Sequence, residues 1–210
     1  MPRSSAALAL KPKPAMQMVE EVPFELLPAP IATYPRASWL VLGIDPGSAG
    51  AIALIDGPTG RLLDVIDIPV IKVKRLRKGE SRGSRTEVQA AVLAAALRPW
   101  LDRYDEAVVW LEQMGNRKND GKLASSGLFE AYGKIQGVLA TLGVTVRYVT
   151  PQKWKKWARI LGDENGDLAR KRAGDLFPVG VTRWVARCHH NRAEACLIGA
   201  YGRNQMVVGA

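Results

Sequence analysis

Two acidic residues stand at the ends of apolar runs that have the length of buried strands. Asp45 follows residues 39–44, and Glu112 follows residues 107–111. A carboxylate is costly to desolvate unless it is paired or binds a cation. Since nothing beside Asp45 in the sequence is basic, a metal ion is a reasonable partner for it, unless Asp45 only caps the turn that follows. Both acids would lie at the carboxyl ends of central strands, where α/β sheets place their chemistry.

A histidine and a third acid occur near the end of the chain. His190 and Glu194 are four residues apart in a segment, residues 190–201, whose apolar residues recur at helical spacing. On a helix they would share one face, either as part of a site or as an ordinary surface pair. Cys188 and Cys196 lie close to them, but the adjacent ligands lack the usual two-residue gap of a zinc knuckle, so we expect no zinc site.

The remaining pattern predicts the sheet and the helices that would position these residues. Apolar runs and alternation predict an antiparallel meander followed by further strands, and helical spacing predicts the helices. The predicted strands are residues 39–44, 51–56, 62–68, 107–111 and 144–149. The predicted helices are residues 86–97, 123–142, 151–159, 168–177 and 190–201, the first of them capped by Thr86.

Composition and charge restrict the class of protein. The chain has 210 residues, of which 47% are hydrophobic and 24% charged, values typical of a soluble globular domain. No apolar run approaches membrane-spanning length, so we expect no membrane partner. The net charge of +10 favours a polyanionic partner, nucleic acid before membrane. We expect residues 37–210 to form one domain, and residues 1–36, which show no period, to form a flexible tail with one doubtful strand at residues 22–27.

Three basic segments are candidates for binding a phosphate backbone. Residues 72–85 carry seven basic residues against one acid and are predicted to form a flexible loop, with a solvated surface run as the alternative. Residues 113–122 are polar and basic and are predicted to form a loop. In residues 152–159 basic residues alternate with Trp154 and Trp157, which could also belong to the core. The candidate DNA-binding residues are Lys72, Lys74, Arg75, Arg77, Lys78, Arg117, Lys118, Lys122, Lys153 and Lys156.

Three motifs in order along the chain resemble those of a known family. They are G-I-D-P-G at residues 43–47, W-L-E-Q at residues 110–113 and H-H-N-R-A-E-A at residues 189–195. The set resembles the RuvC-type Holliday-junction resolvases of the ribonuclease H-like superfamily, and it is closest in pattern to their phage and plant chloroplast members. The resemblance implies a ribonuclease H-like α/β fold, in which three antiparallel and then two parallel strands form a mixed five-stranded sheet flanked by helices. It also implies a homodimer that resolves four-way branched DNA by paired, symmetric cuts in the cytoplasm of a bacterial or phage-infected cell.

The resemblance further implies roles for particular residues and a cofactor. Asp45, Glu112 and Glu194 would be metal-binding carboxylates, His190 would occupy the fourth position, and Lys155 would lie near the scissile phosphate. These residues would then be the catalytic set, with Mg²⁺ bound and Mn²⁺ able to substitute. Metal ions held by such carboxylates activate the attacking water and neutralise charge on the phosphate.

The chain departs from the family pattern at two positions. The bacterial members have an aspartate three residues before the last glutamate, where this chain has Asn191. His190 would therefore either ligate metal or orient the attacking water. The plant relatives carry a further acid two residues after the first one, where this chain has Gly47.

Two other functions fit parts of the pattern. The stretch G-I-D-P-G-S-A-G at residues 43–50 could be the phosphate-cradling hairpin of an actin-like ATPase, but we find neither a second phosphate loop nor a second lobe in the sequence. The other function is that of a basic DNA-binding protein that has lost catalysis on a ribonuclease H-like scaffold. The intact set of acids is evidence against this second alternative.

Overall fold

The structure, a computed structural model, describes residues 39–77, 80–114, 122–163 and 165–208, without the side chains of residues 75–77, 80–83 and 122–125. The predicted tail and its doubtful strand lie outside these residues. The strands are β1 (Trp39–Asp45), β2 (Ala51–Asp56), β3 (Leu62–Asp67), β4 (Val70–Arg77), β5 (Glu80–Val88), β6 (Glu106–Glu112) and β7 (Thr145–Val149). The helices are α1 (Ala90–Leu101), α2 (Lys122–Thr141), α3 (Pro151–Ala158), α4 (Asp167–Leu176) and α5 (His190–Val208), with 3-10 helices at Pro178–Trp184 and Arg187–His189. No helix in this part of the chain is long and apolar enough to cross a membrane.

The main sheet is the mixed five-stranded sheet of a ribonuclease H-like fold, as predicted. Its order is β3-β2-β1-β6-β7, in which β1, β2 and β3 are antiparallel and β1, β6 and β7 are parallel. β1 and β2 are buried almost throughout, because their side chains are apolar on both faces. The parallel pairing sets Ile44 beside Leu111, so Asp45 and Glu112 end neighbouring strands at the same edge of the sheet.

The prediction of a flexible loop at residues 72–85 is wrong, because these residues belong to an antiparallel hairpin of β4 and β5. Basic and apolar residues alternate at the start of β4, which is a strand pattern that the high density of charge obscured. Lys72 and Lys74 are exposed, whereas Ile71 and Val73 on the opposite face are half-buried. High charge density in this segment therefore indicated exposure to solvent and not an irregular backbone.

The first helix begins later than predicted, and Thr86 does not cap it. Thr86 and Val88 pair with β4 in the hairpin, opposite Lys72 and Val70. The backbone N–H of Gln89 then donates to the carbonyl of Pro69 at 2.9 Å, which extends the pairing beyond the strands. Because these residues are held in extended backbone, α1 starts only at Ala90.

Ion pairs attach the hairpin to α2. The Arg85 guanidinium lies 3.3 Å from the Glu130 carboxylate, and the Lys134 ammonium lies 3.2 Å from Glu87 and 2.9 Å from Glu130. The hydrogen bond that Glu130 accepts from Lys134 lowers the pKa of Glu130 below its ordinary value. Exposed pairs of this kind contribute little stability individually. Together they hold one face of the hairpin against α2 and leave the face of Lys72 and Lys74 towards solvent.

The last helix packs directly on the central strand. A Cβ atom placed on Gly43 of β1 would lie 2.2 Å from the backbone nitrogen of Gly199 and 2.3 Å from the carbonyl oxygen of Ala195, both in α5. Only glycine permits so close an approach of two backbones. The contact holds α5, and with it His190 and Glu194, against the strand that carries Asp45.

Candidate active site

Asp45, Glu112, Lys155, His190 and Glu194 line one open cleft of about 560 Å³. The cleft lies at the carboxyl ends of β1 and β6, next to the first residues of α3 and α5. These side chains come from four separate segments of the chain, and the parallel pairing of β1 with β6 and the packing of α5 on β1 bring them to one edge of the sheet. The cleft thus combines three carboxylates, an imidazole and an ammonium group.

Asp45 is the last residue of β1 and is only 9% exposed. It pairs with Ala51 across the turn of residues 46–50, in which the Gly50 N–H donates to the Gly47 carbonyl at 3.2 Å. Gly47 has a φ of +140°, a backbone conformation that residues with side chains rarely adopt. A residue with a side chain at this position would strain this turn. The glycine is therefore required by the geometry of the turn that follows Asp45.

Glu112 accepts a hydrogen bond from the indole of Trp154, with 2.6 Å between Nε1 and Oε2. The connection from β7 to α3 produces this contact. Val149 of β7 lies opposite Glu112 in the sheet, and α3 follows at once with Pro151 at its start. Proline has the φ angle of a first helical residue, so the helix can begin directly beside the end of β6.

Lys155 and Glu194 form an ion pair inside the cleft. Lys155 Nζ lies 3.0 Å from Glu194 Oε1, and both side chains are mostly buried. The same ammonium group lies 5.2 Å from the centroid of the Trp154 ring, within the range of a cation–π contact. Lys155 is therefore held between a carboxylate of α5 and the aromatic ring that precedes it in α3.

The first turn of α5 presents His190 and Asn191 differently. The Nδ1 of His190 lies 3.2 Å from the Arg187 carbonyl, and since a carbonyl only accepts, Nδ1 carries the proton. Nε2 is then the nitrogen available to a metal or a water. The Asn191 amide donates to the Ala49 carbonyl at 2.5 Å, so it ties the helix to the turn after Asp45. An ionised aspartate at this position could not donate this bond.

The donor set fits a hard divalent cation by its chemistry. Carboxylate oxygens are the ligands that Mg²⁺ and Mn²⁺ prefer, and Asp45, Glu112 and Glu194 supply them. Within the described residues, no three His, Cys, Asp or Glu side chains are close enough together to hold a metal ion. The Lys155 ammonium is paired with Glu194 and would compete with a cation for that carboxylate. Binding would therefore require side-chain rotations in the cleft.

The predicted DNA-binding residues lie in several places. Lys72 and Lys74 are exposed on the hairpin, and Lys153 and Lys156 are exposed on α3. Trp154 is fully buried and so presents no open ring face for a base, whereas Trp157 is partly buried against the core. The other predicted DNA-binding residues lie outside the described part of the structure. These are Lys78, Arg117 and Lys118, together with the side chains of Arg75, Arg77 and Lys122.

Trp154 and Asn191 belong to the site, although the sequence pattern did not assign either of them to it. A signal for Trp154 was present, because Trp154 and Ala158 are four residues apart and form the buried face of α3. Trp154 therefore points towards the end of the sheet, and Lys155, the next residue, lines the cleft. Asn191 stands where the bacterial members have an aspartate, which was a signal for its place in the site, but its partner, a backbone carbonyl in a distant turn, was visible only in the structure.

Comparisons with known proteins support the resemblance that the motifs indicated. No family model matches the chain. It is 27% identical over 132 residues to the crossover junction endodeoxyribonuclease RuvC of Pseudarthrobacter chlorophenolicus, covering 62% of this chain and 64% of that protein. The RuvC of Paenarthrobacter aurescens is also 27% identical over 132 residues, covering 62% and 65%. The match thus spans slightly less than two thirds of these relatives.

A solved structure has the same fold. It is that of T. thermophilus RuvC in complex with a Holliday junction substrate, with a TM-score of 0.50 and 17% identity. The superposition covers 81% of this chain and 96% of the other. The chain is thus similar to RuvC-type resolvases in its motifs, in its sequence over 132 residues and in its ribonuclease H-like fold.

Proposed function

We propose that the chain is a metal-dependent endonuclease that resolves four-way DNA junctions by hydrolysing phosphodiester bonds. The observation that carries the proposal is the convergence of Asp45, Glu112, His190 and Glu194 with Lys155 in one cleft, in a chain similar to RuvC. We further propose that the activity resides in residues 37–210 and acts on DNA in the cytoplasm of a bacterial or phage-infected cell.

The chemistry requires an activated water and stabilisation of the charge that develops on the phosphate. Mg²⁺ or Mn²⁺ held by Asp45, Glu112, Glu194 and His190 would supply both. The indole N–H of Trp154 donates a hydrogen bond to the Glu112 carboxylate. Lys155 lies in the cleft and can exchange Glu194 for a phosphate oxygen as its partner, so that its charge stabilises the transition state. If His190 does not ligate a metal, its Nε2 can orient the attacking water.

The test of this proposal is a cleavage assay on DNA of defined shape. Purified protein is incubated with labelled four-way, three-way, flap and linear duplex DNA, with and without Mg²⁺ or Mn²⁺. We expect cutting of the four-way junction only when metal is added. Binding of the junction without cutting under any metal would instead indicate a DNA-binding protein that has lost catalysis.

Replacing Lys155 with alanine is expected to slow cleavage by about 10²-fold, because an ammonium that stabilises the developing charge is lost. Junction affinity should change much less, since one of many phosphate contacts is removed. Single-turnover cleavage with saturating protein gives the rate, and gel-shift titration in Ca²⁺ gives the affinity. An equal loss in both would make Lys155 an ordinary backbone contact.

Lys72 and Lys74 provide the matched control for this variant. Both are exposed and outside the cleft, so the double alanine variant should bind more weakly and cut at the normal rate once saturated. The plot of log affinity against log salt concentration should become shallower, its negative slope losing about 0.9 in magnitude for each phosphate that the variant no longer neutralises. An unchanged slope would show that this face of the hairpin does not contact DNA.

We also propose that the active form is a homodimer. A four-way junction has equivalent scissile strands on opposite sides, and one cleft can attack only one of them, so paired cutting is met most simply by two-fold symmetry. α2 offers a surface for close approach. A Cβ atom on Gly133 or Gly137 would meet no other heavy atom within 4 Å, and Phe129 on the same side is 52% exposed. Gly133 and Gly137 therefore do not pack against the sheet, which would have been the other reason for glycine at these positions.

The dimer should be visible in both mass and products. Light scattering of the protein on junction DNA is expected to give the mass of two chains plus that of the junction, and a cruciform plasmid should be converted to linear product without accumulation of nicked circles. A Gly137→Arg variant should accumulate nicked circles, because a bulky charge would block close packing of α2. A wild-type monomer, both free and on the junction, with cleavage first-order in protein, would contradict the proposal.

A further inference from the structure

Trp154 makes a contact that other buried tryptophans of this protein do not make. Its side chain is fully buried, and its indole N–H donates to Glu112 at 2.6 Å. Within the described residues the buried indole nitrogens of Trp110 and Trp184 have no hydrogen-bond partner. The fold thus tolerates buried indoles without a partner, so the bond from Trp154 is not a general requirement of burial here.

The geometry limits the movement of the Glu112 carboxylate. Glu112 is the last residue of its strand and is only partly buried, so burial alone does not select one side-chain rotamer. A short hydrogen bond from a neutral donor to an ionised oxygen is among the stronger ones in proteins. Because the indole is rigid and packed in the core, it fixes the direction from which Glu112 Oε2 is held.

Trp154 also lies beside Lys155, the residue of α3 that pairs with Glu194 of α5. The Lys155 ammonium lies 5.2 Å from the Trp154 ring centroid and 3.0 Å from Glu194 Oε1. The Trp154 ring therefore lies beside Lys155, which pairs with Glu194 of α5, and the Trp154 N–H donates to Glu112 of β6. A change in this one side chain would disturb both connections.

We propose that Trp154 is a positioning residue, whose indole N–H orients the Glu112 carboxylate for a divalent cation. The proposal rests on the proposed function, in which Glu112 binds metal. Residues that hydrogen-bond a metal ligand in this way typically affect metal affinity or activity by about 10–100-fold when replaced. The expected signature is therefore a defect in metal binding, with DNA affinity and folding preserved.

The test compares Trp154→Phe with Trp184→Phe. Both variants replace a fully buried indole by a smaller ring, but only the first removes a hydrogen bond to the cleft. We expect the Mg²⁺ concentration for half-maximal cleavage to rise by about 10-fold or more in Trp154→Phe only. Mn²⁺ affinity measured by calorimetry, which needs no activity, should fall in the same variant, and junction affinity in Ca²⁺ should be equal in both.

A measurement on protein with an intact Trp154 makes the test independent of the folding of that variant. In ¹⁵N-labelled protein, one of the six indole N–H signals should move strongly in Glu112→Ala, because its charged acceptor is removed. An unmoved set of indole signals, or equal Mn²⁺ affinity in the two phenylalanine variants, would overturn the proposal even if the wild type cuts junctions. A wild type that does not cut, with Mn²⁺ affinity lowered only by Trp154→Phe, would refute the proposed function and leave the positioning role intact.

Discussion

Glu112→Gln is expected to abolish junction cleavage and to leave junction binding nearly unchanged. Glutamine has almost the same size, so the fold and the DNA-contacting surface should persist, but the negative charge that a cation needs is lost. A metal ion contributes several kcal/mol of transition-state stabilisation, and each 1.4 kcal/mol is tenfold in rate, so the loss should be about 10³-fold or more. Asp45→Asn and Glu194→Gln should act in the same way, because each removes a carboxylate from the same cleft.

Glu106→Gln is the matched control for this prediction. Glu106 is exposed at the first position of β6, the strand that Glu112 ends, so it lies at the opposite edge of the sheet. The same chemical change there should leave the cleavage rate as it is. Single-turnover rates on a four-way junction in Mg²⁺ give the comparison, with gel shifts in Ca²⁺ for binding. Normal cutting by Glu112→Gln would remove the basis for a metal site in this cleft.

Gly43→Ala is expected to destabilise the fold strongly, although it adds only one methyl group. The added Cβ would lie 2.2 Å from the Gly199 nitrogen and 2.3 Å from the Ala195 carbonyl oxygen. Both are backbone atoms, so no rotation of a side chain relieves the clash, and α5 must move away from β1. Overpacking of a core costs about 1–3 kcal/mol and at times more, and for a chain of this size 1 kcal/mol lowers Tm by roughly 2–4 °C. Activity should fall too, because α5 carries His190 and Glu194.

Gly174→Ala is the control for this variant. Gly174 lies within α4, and a Cβ atom there would come no closer than 3.4 Å to the Val181 side chain, an ordinary contact. Alanine is the better helix former by up to about 1 kcal/mol, so Tm should stay the same or rise. Thermal unfolding followed by circular dichroism compares the two. Equal Tm values for both variants would mean that β1 and α5 are not packed as closely as described.

The five strands of the main sheet and the order of the motifs could be predicted from the sequence, because both depend on local pattern. The run of residues 39–44 and the run of residues 107–111 are apolar at every position except Gly43. That pattern fits a strand covered on both faces, and it is sufficient to predict that Asp45 and Glu112 lie at strand ends. The hairpin of β4 and β5 was missed because basic residues indicate where a segment meets solvent, whereas alternation indicates its backbone.

The sequence motifs were sufficient to nominate Asp45, Glu112, Lys155, His190 and Glu194 as candidates, but which of these groups contact one another was decided only by the tertiary structure. Trp154 and Glu112 are 42 positions apart, and their hydrogen bond exists because β7 pairs beside β6 and α3 begins directly after it. Lys155 meets Glu194 because Gly43 lets α5 lie on β1. No local pattern encodes these contacts, since each depends on how two separate elements pack against a third.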